Sequence, residues 1–365
     1  MNKYIYIALT CVTLSSCSNN EEVSSTNDDT LTPILLSAKV ADVSVDAQAK
    51  SAREATTIAF PNQGKISVIA ANVTESSTDW STLHIDNKPA STNTIGSTAE
   101  SKYPFTWDLP TADQGGKTYY WPFNPEEKLV FVAYSPAITA DGTVTKNSST
   151  VLNVTLKGNE TADVLYTVPT GAKSKIDKTV DLGLFNHALA KVKVIVKAVY
   201  KNNNDEYVDL TENVPFSVAE LGIKTIQTSG TLNLTDPGNG IINGDAETEQ
   251  AFTLFTNGGD NNNSHLLNSP LEKECYMLPS TEENSSVTVA LKDEKSANPD
   301  KYDINISKFE KSKSDNIEFI AGKTTVLTIK VKVTTTGTEP GTDDIILEGN
   351  LTDWKCNGRF DVTIE

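Results

Sequence analysis

Ala190-Lys191-Val192-Lys193-Val194-Ile195-Val196-Lys197 is the stretch that decides the fold class of this chain. Val192, Val194 and Val196 recur at every second residue and fall on one face of an extended strand, while Lys191, Lys193 and Lys197 fall on the other. A helix would scatter both sets around its axis. The same alternation returns near the other end of the chain, where Leu327, Ile329, Val331 and Val333 face away from Thr328, Lys330 and Lys332. Each segment predicts a strand that is half buried and half wet.

The rest of the chain carries the same signal in shorter pieces. Lys65 to Ala71, Leu129 to Tyr134, Val151 to Leu156, Ala251 to Thr256, Val287 to Leu291 and Tyr302 to Ile306 are short runs rich in Val, Ile, Thr, Phe and Tyr, separated by clusters of Gly, Asn, Asp and Pro. Beyond the first residues almost no sustained 3.6-residue apolar period occurs. The fold class is therefore all-β, and the close spacing of the runs favours antiparallel sandwiches over a parallel sheet. About 330 residues after the leader exceed one ordinary core and suit two domains. The polar stretch Asn202 to Glu206 follows the first alternating strand, so the boundary is expected near residue 200, dividing the chain into 33–200 and 201–365.

The chain opens with export signals. Lys3 supplies a positive charge, and Ile5 to Leu14 form an apolar stretch of about ten residues, too short to cross a bilayer as a stable helix. Leu14-Ser15-Ser16-Cys17 places an aliphatic residue three positions before a cysteine with small residues between, the pattern of lipoprotein processing. Residues 1–17 are predicted to be a lipoprotein signal peptide with its lipobox, and Cys17 the lipidated residue of an outer-membrane lipoprotein. A diacylated cysteine inserts enough CH2 groups to hold a folded domain at a membrane. Residues 18–32 are Ser, Asn, Asp, Glu and Thr with few apolar side chains and read as a disordered tether.

Composition excludes several partners and chemistries. The formal charge is -17; without Lys3 it is 30 minus 48, or -18, which disfavours nucleic acid and anionic lipid surfaces. Gly116-Lys117-Thr118 resembles the end of a phosphate loop, but Thr111 stands where the first glycine is needed. Asp260 to Leu271 resembles a calcium loop, but His265 replaces its glycine and Leu271 its last ligand. His84, His187 and His265 are scattered, with no metal-ligand spacing. No catalytic residue, cofactor or metal site is predicted, and the chain reads as no enzyme. Trp80, Trp107, Trp121 and Trp354 offer a sugar-stacking platform as one reading and core packing as the other. In an oxidising compartment Cys275 and Cys356 are free to form a disulfide, with two buried thiols as the alternative.

Arg53 is one of only two arginines, with Arg359, and lies in the polar stretch Asp46 to Thr57, the kind of segment where proteases cut. At the other end, Thr334 to Gly341 form a flexible linker rich in Thr and Gly. A tail follows in which Ile345, Leu347, Gly349 and Leu351 share one parity, as do Phe360, Val362 and Ile364.

Taken together, these features resemble the fimbrillin-like pilins that form type V pili. The resemblance is carried by the lipobox, the strand before Arg53, Tyr120-Trp121-Pro122 leading into Phe131-Val132-Ala133-Tyr134-Ser135-Pro136, the run Phe185-Asn186-His187-Ala188-Leu189-Ala190-Lys191-Val192, and the linker and tail with Asp353-Trp354. It implies two tandem transthyretin-like antiparallel β-sandwich domains. It also implies a lipidated N-terminal strand, Leu31 to Val45, removed by an Arg-specific protease between Arg53 and Glu54. The segment after Gly341 would then be the donor strand, with Ile345, Leu347, Leu351, Phe360, Val362 and Ile364 as the residues filling a neighbour's open groove. The implied partners are other pilin subunits in a homo- or hetero-polymer, the outer membrane before cleavage, and a host or bacterial surface ligand. The alternative is a surface lipoprotein that binds glycan or host ligands and never polymerises.

Overall fold

The computed structural model describes residues 31–40, 58–59, 64–74, 77–93, 95–96, 102–108, 118–137, 144–156, 162–212, 214, 216–236, 241–243, 250–256, 265–281, 285–293, 298–306, 310–311, 318–333 and 345–353. Strands dominate these residues, as the period-2 patterning predicts. The six short runs appear as Lys65–Val73, Leu129–Ser135, Val151–Thr155, Gln250–Thr256, Ser285–Asp293 and Asp300–Asn305. The two alternating segments appear as Ala190–Lys201 and Lys323–Lys332.

Seven strands of the first half close into a barrel. In spatial order they are Leu35–Val40, Thr179–His187, Leu165–Tyr166, Leu129–Ser135, Lys65–Val73, Thr78–Ser91 and Tyr103–Trp107. Its interior holds Ile34, Leu36, Ala38, Ile66, Val68, Phe105, Trp107, Trp121, Phe131 and Phe185, all buried. Strand 129–135 is apolar up to its closing Ser135 and buried at every residue, because its two faces serve two cores. Phe131 and Ala133 point into the barrel. Val132 and Tyr134, with Ile69 of the neighbouring strand, join the second cluster outside it.

That second cluster lies under three sheets. Strands Val144–Lys146 and Val151–Thr155 pair with Ser229–Asn233 and Ile241–Asn243, so this small sheet draws on both halves of the sequence. A six-stranded sheet is centred on 190–201 and 323–332, which run parallel. A third sheet is built on Phe216–Thr225 and Ser285–Asp293. Val192, Val194, Val196, Leu327, Ile329 and Val331 from the six-stranded sheet share one core with Leu221, Ile223, Val287 and Val289 from the third. The barrel ends at His187 and the six-stranded sheet begins at Ala190.

Strand 190–201 alternates as its sequence predicts, with Val192, Val194 and Val196 at 0% exposure. Its lysines lie over acidic partners: Lys191 on Glu274 and Lys193 on Glu272 at 2.6 Å, and Lys197 on Asp209 at 2.8 Å. Strand 323–332 departs from the half-wet expectation, since Lys330 is only 5% exposed. It is an inner strand, with Lys197 beside Lys330 on one flank and Ile346 on the other. Strand 190–201 is also flanked on both sides and keeps Lys191, Lys193 and Lys197 partly exposed, so the burial of Lys330 is set by its particular surroundings, which alternation within one strand does not encode.

Candidate functional site

The first strand, Leu35–Val40, is held on both sides. It runs parallel to Thr179–His187, with Leu35 opposite Thr179, Leu36 opposite Val180 and Ser37 opposite Asp181. It runs antiparallel to Tyr103–Trp107, with Leu36 opposite Phe105 and Ala38 opposite Tyr103. Gly183, at φ +81°, takes up a bulge between the Ser37 and Lys39 pairings, a backbone conformation open to glycine at little cost. Tyr103, Phe105 and Trp107 alternate inward with exposed Pro104 and Thr106. Segment 119–121 extends the wall: the Ile34 amide donates to the Tyr119 carbonyl at 2.8 Å and the Trp121 amide to the Thr32 carbonyl at 3.0 Å.

Side chains lock the strand in place. Trp107 donates its indole N–H to the Ile34 carbonyl at 2.9 Å, and its ring meets Tyr119 edge-on at 4.7 Å between centroids. Burial raises the phenols of Tyr103 and Tyr119 above their ordinary range. Ile34, Leu36 and Ala38 project inward at 0, 2 and 0% exposure. On the outer face Asp181 accepts from Lys102 at 2.6 Å and from the Gly183 amide at 3.0 Å. Partial burial works to raise the Asp181 carboxyl, but those hydrogen bonds and the charges of Lys102 and Lys39 outweigh it and hold the carboxyl below its usual range. Lys39 belongs to the first strand, so the strand contributes to this local charge balance.

Removing residues 32–40 would strip the ladder partners from strand 179–187 along one edge and from strand 103–107 along another. It would also uncover the core around Phe105, Trp107, Val180 and Phe185. Both are costly in water, since open edges leave peptide groups unpaired and burial of Ile34 and Leu36 alone is worth roughly 1.5–3 kcal/mol each. The result is an empty slot shaped for an extended apolar strand.

The last strand, Ile345–Asp353, lies in the six-stranded sheet. It runs antiparallel to 323–332 over nine residues, from Val331 opposite Ile345 to Lys323 opposite Asp353. The register sets Ile345, Leu347 and Leu351 opposite Val331, Ile329 and Thr325. Among the described residues its other edge pairs with Glu310–Lys311. Phe360, Val362 and Ile364 lie outside the described residues, as do Cys17, Arg53, Glu54 and Cys356.

The remaining candidates resolve into core. Trp107 and Trp121 are buried in the barrel, Trp121 against Phe131, and Trp80 is partly buried against the second core; none of the three joins a stacking platform. Cys275 is buried, and burial, reinforced by Glu274, pushes its thiol up to about 12; the expected partner Cys356 lies outside the described residues. His187 is buried with its Nδ1 2.8 Å from Asp163. His84 and His265 meet the backbone carbonyls of Tyr120 and Ser269. Among the described residues no group of three His, Cys, Asp or Glu side chains is placed to hold a metal ion. Sequence reasoning did not single out Trp107, Tyr119 and strand 179–187 as walls of one slot. The inward parity of Tyr103, Phe105 and Trp107 was the available signal.

Comparison with known proteins adds a family and a fold. A family model described as fimbrillin-like matches residues 53–354. No curated protein matches the chain. Among solved structures, a protein of Bacteroides uniformis provisionally named for cell adhesion aligns at 17% identity with a TM-score of 0.53, over 90% of this chain and 99% of that one. A second, from Bacteroides ovatus and provisionally named likewise, aligns at 14% identity and a TM-score of 0.53, over 90% of this chain and 100% of that one. At such identities the likeness speaks to the fold. With the family model matched over most of its length, the chain belongs to the fimbrillin-like family.

Proposed function

We propose that this protein is a structural subunit of a cell-surface fimbria, exported as a lipoprotein through Cys17, cut after Arg53, and joined to other subunits by donor-strand exchange in support of adhesion. One observation carries this reading: the strand that closes the barrel, Leu35–Val40, lies wholly upstream of residue 53, where the family match begins. A cut at Arg53 therefore removes the strand and leaves the rest of the fold to receive a replacement. No catalytic step enters this function.

The balance of pairings favours transfer of the last strand. Among the described residues it has, on its own subunit, one full ladder and a two-residue contact. In a neighbour's vacated slot it would pair along strand 179–187 on one side and strand 103–107 on the other, and cover an apolar core. Backbone pairing supplies affinity and the alternating side chains supply specificity. Against the ladder given up on strand 323–332, the strand would make two ladders in the neighbour and cover the apolar core around Phe105, Val180 and Phe185.

N-terminal sequencing of fimbriae sheared from cells tests the reading. A start at Glu54 is the expected result. An intact lipidated Cys17 on every copy would overturn it.

A further inference from the structure

The strand that walls the slot leads directly into the longest parallel pairing among the described residues. Strand 179–187 is followed after two residues by 190–201. That strand pairs in parallel with 323–332 over nine consecutive residues, from Lys191 opposite Thr324 to Val199 opposite Lys332, without a bulge. Backbone hydrogen bonds extend the pairing at both ends: the Gly322 amide donates to the Leu189 carbonyl at 2.9 Å and the Val333 amide to the Val199 carbonyl at 2.8 Å. After Val333 comes the linker to the tail. We propose that this ladder is the load-bearing clamp of the subunit, taking tension along the fimbria in shear and shielding residues 202–322 from it. The proposal rests on the fimbrial reading above and adds a mechanical function to it.

Strand polarity makes the loading a shear. A pull from the slot reaches strand 190–201 at its first residue, and a pull on the linker reaches strand 323–332 at its last. In a parallel pair these are opposite ends, so the two strands are drawn past each other along their length. The evenly spaced hydrogen bonds of a parallel ladder then share the load and yield together. In an antiparallel pair the same two pulls would act at one end and part the residues one at a time. On the core face Val192, Val194, Val196, Leu327, Ile329 and Val331, all at 0% exposure, add close-packed side chains that sliding would have to unseat.

The pairings also confine the load to this ladder. Among the described residues strand 323–332 pairs with 190–201 and with the tail strand 345–353. Once the tail is donated, the ladder to 190–201 is what holds it. Strand 190–201 is gripped on its other flank by 271–277 over seven residues, at the end where tension enters. The sheet built on 216–225 and 285–293 shares a core with the six-stranded sheet but, among the described residues, no ladder. The clamp therefore closes a loop of residues 202–322, and tension that enters at Ala190 and leaves at Val333 bypasses the loop while the clamp holds. Resistance to force follows the unfolding barrier of the loaded element, not the equilibrium stability of the whole.

Stretching single fimbriae in an optical trap, with disulfides placed on and off the load path, tests the clamp. Adjacent strands lie about 4.8 Å apart, within disulfide range. In a Cys356→Ser background, Ile195→Cys with Thr328→Cys bridges the clamp itself; Lys193→Cys with Val326→Cys, also opposite each other, serves if the first pair does not assemble. Lys224→Cys with Ser286→Cys bridges two strands inside the loop. The clamp disulfide locks the 132 residues between positions 195 and 328, so it should remove a lengthening step of roughly 470 Å per subunit, and reductant should restore the step. The loop disulfide locks 61 residues and should shorten the step by about 220 Å without changing the force at which it occurs. Each variant under reductant is its own control. Stretching records that the clamp disulfide leaves unaltered, or a force that the loop disulfide raises, overturn the proposal while fimbriae still form. A lipidated Cys17 on every copy in sheared fimbriae overturns the fimbrial reading itself, before any stretching.

Discussion

Leu36→Ala should destabilise the uncleaved protein and leave the fimbria untouched. Leu36 is 2% exposed and stands between Val180 and Phe105, themselves at 0 and 6%. Truncation removes three buried carbons, roughly 2.4 kcal/mol of transfer free energy. The surrounding walls are fixed by ladders on both sides and collapse only partly, so a cavity cost adds to this. The expected loss is about 3–4 kcal/mol, a large part of the roughly 5–15 kcal/mol that holds a typical domain folded. Urea unfolding of the uncleaved protein, followed by the fluorescence of Trp107 and Trp121, measures it. Fimbriae sheared from cells carrying the same substitution should dissociate at the wild-type denaturant concentration, because the proposed cut after Arg53 removes Leu36. A loss below about 1 kcal/mol in the precursor would refute the first strand as part of the core. An equal loss in fimbriae would refute its replacement.

Other substitutions separate fold from assembly. Phe123→Asp and Ile176→Asp should change the monomer's unfolding midpoint by no more than about 0.5 kcal/mol, since both side chains are exposed, yet shorten the fimbriae seen by electron microscopy. Asp181 has a folded-state carboxyl below its ordinary value, so its contribution is present above the unfolded value of 3.8 and is lost as pH falls through the depressed folded one. Acid titration of the precursor should show Asp181→Asn losing less stability than wild type below about pH 4. Val194→Ala should cost about 2 kcal/mol in thermal unfolding, and Lys193→Ala under about 1, because Val194 is fully buried and the Lys193–Glu272 pair lies at the surface.

Much of the strand content was legible because the signal is local. Val192, Val194 and Val196 alternate with lysines whichever strands flank them, and the run Leu129 to Tyr134 reads as a strand from its residue types alone. Lys330 shows the limit, since it is buried although alternation assigns it to the wet face. The slot was less legible still. Its walls come from Trp107, Tyr119 and the strand ending at His187, far apart in sequence and joined only through pairing.

By itself, the sequence determined the all-β class, the two strongest alternating strands and an alternation in the tail able to fill an apolar groove, because a two-residue period reports which side of one strand meets a core. Only the tertiary structure decided that residues 34–40 close the barrel, that strand 179–187 runs parallel to them, that segment 144–155 leaves the barrel to pair with 229–243, and that the last strand rests on 323–332. Strand partners are chosen by ladder register and shared burial between segments distant in the chain, and no local pattern records that choice.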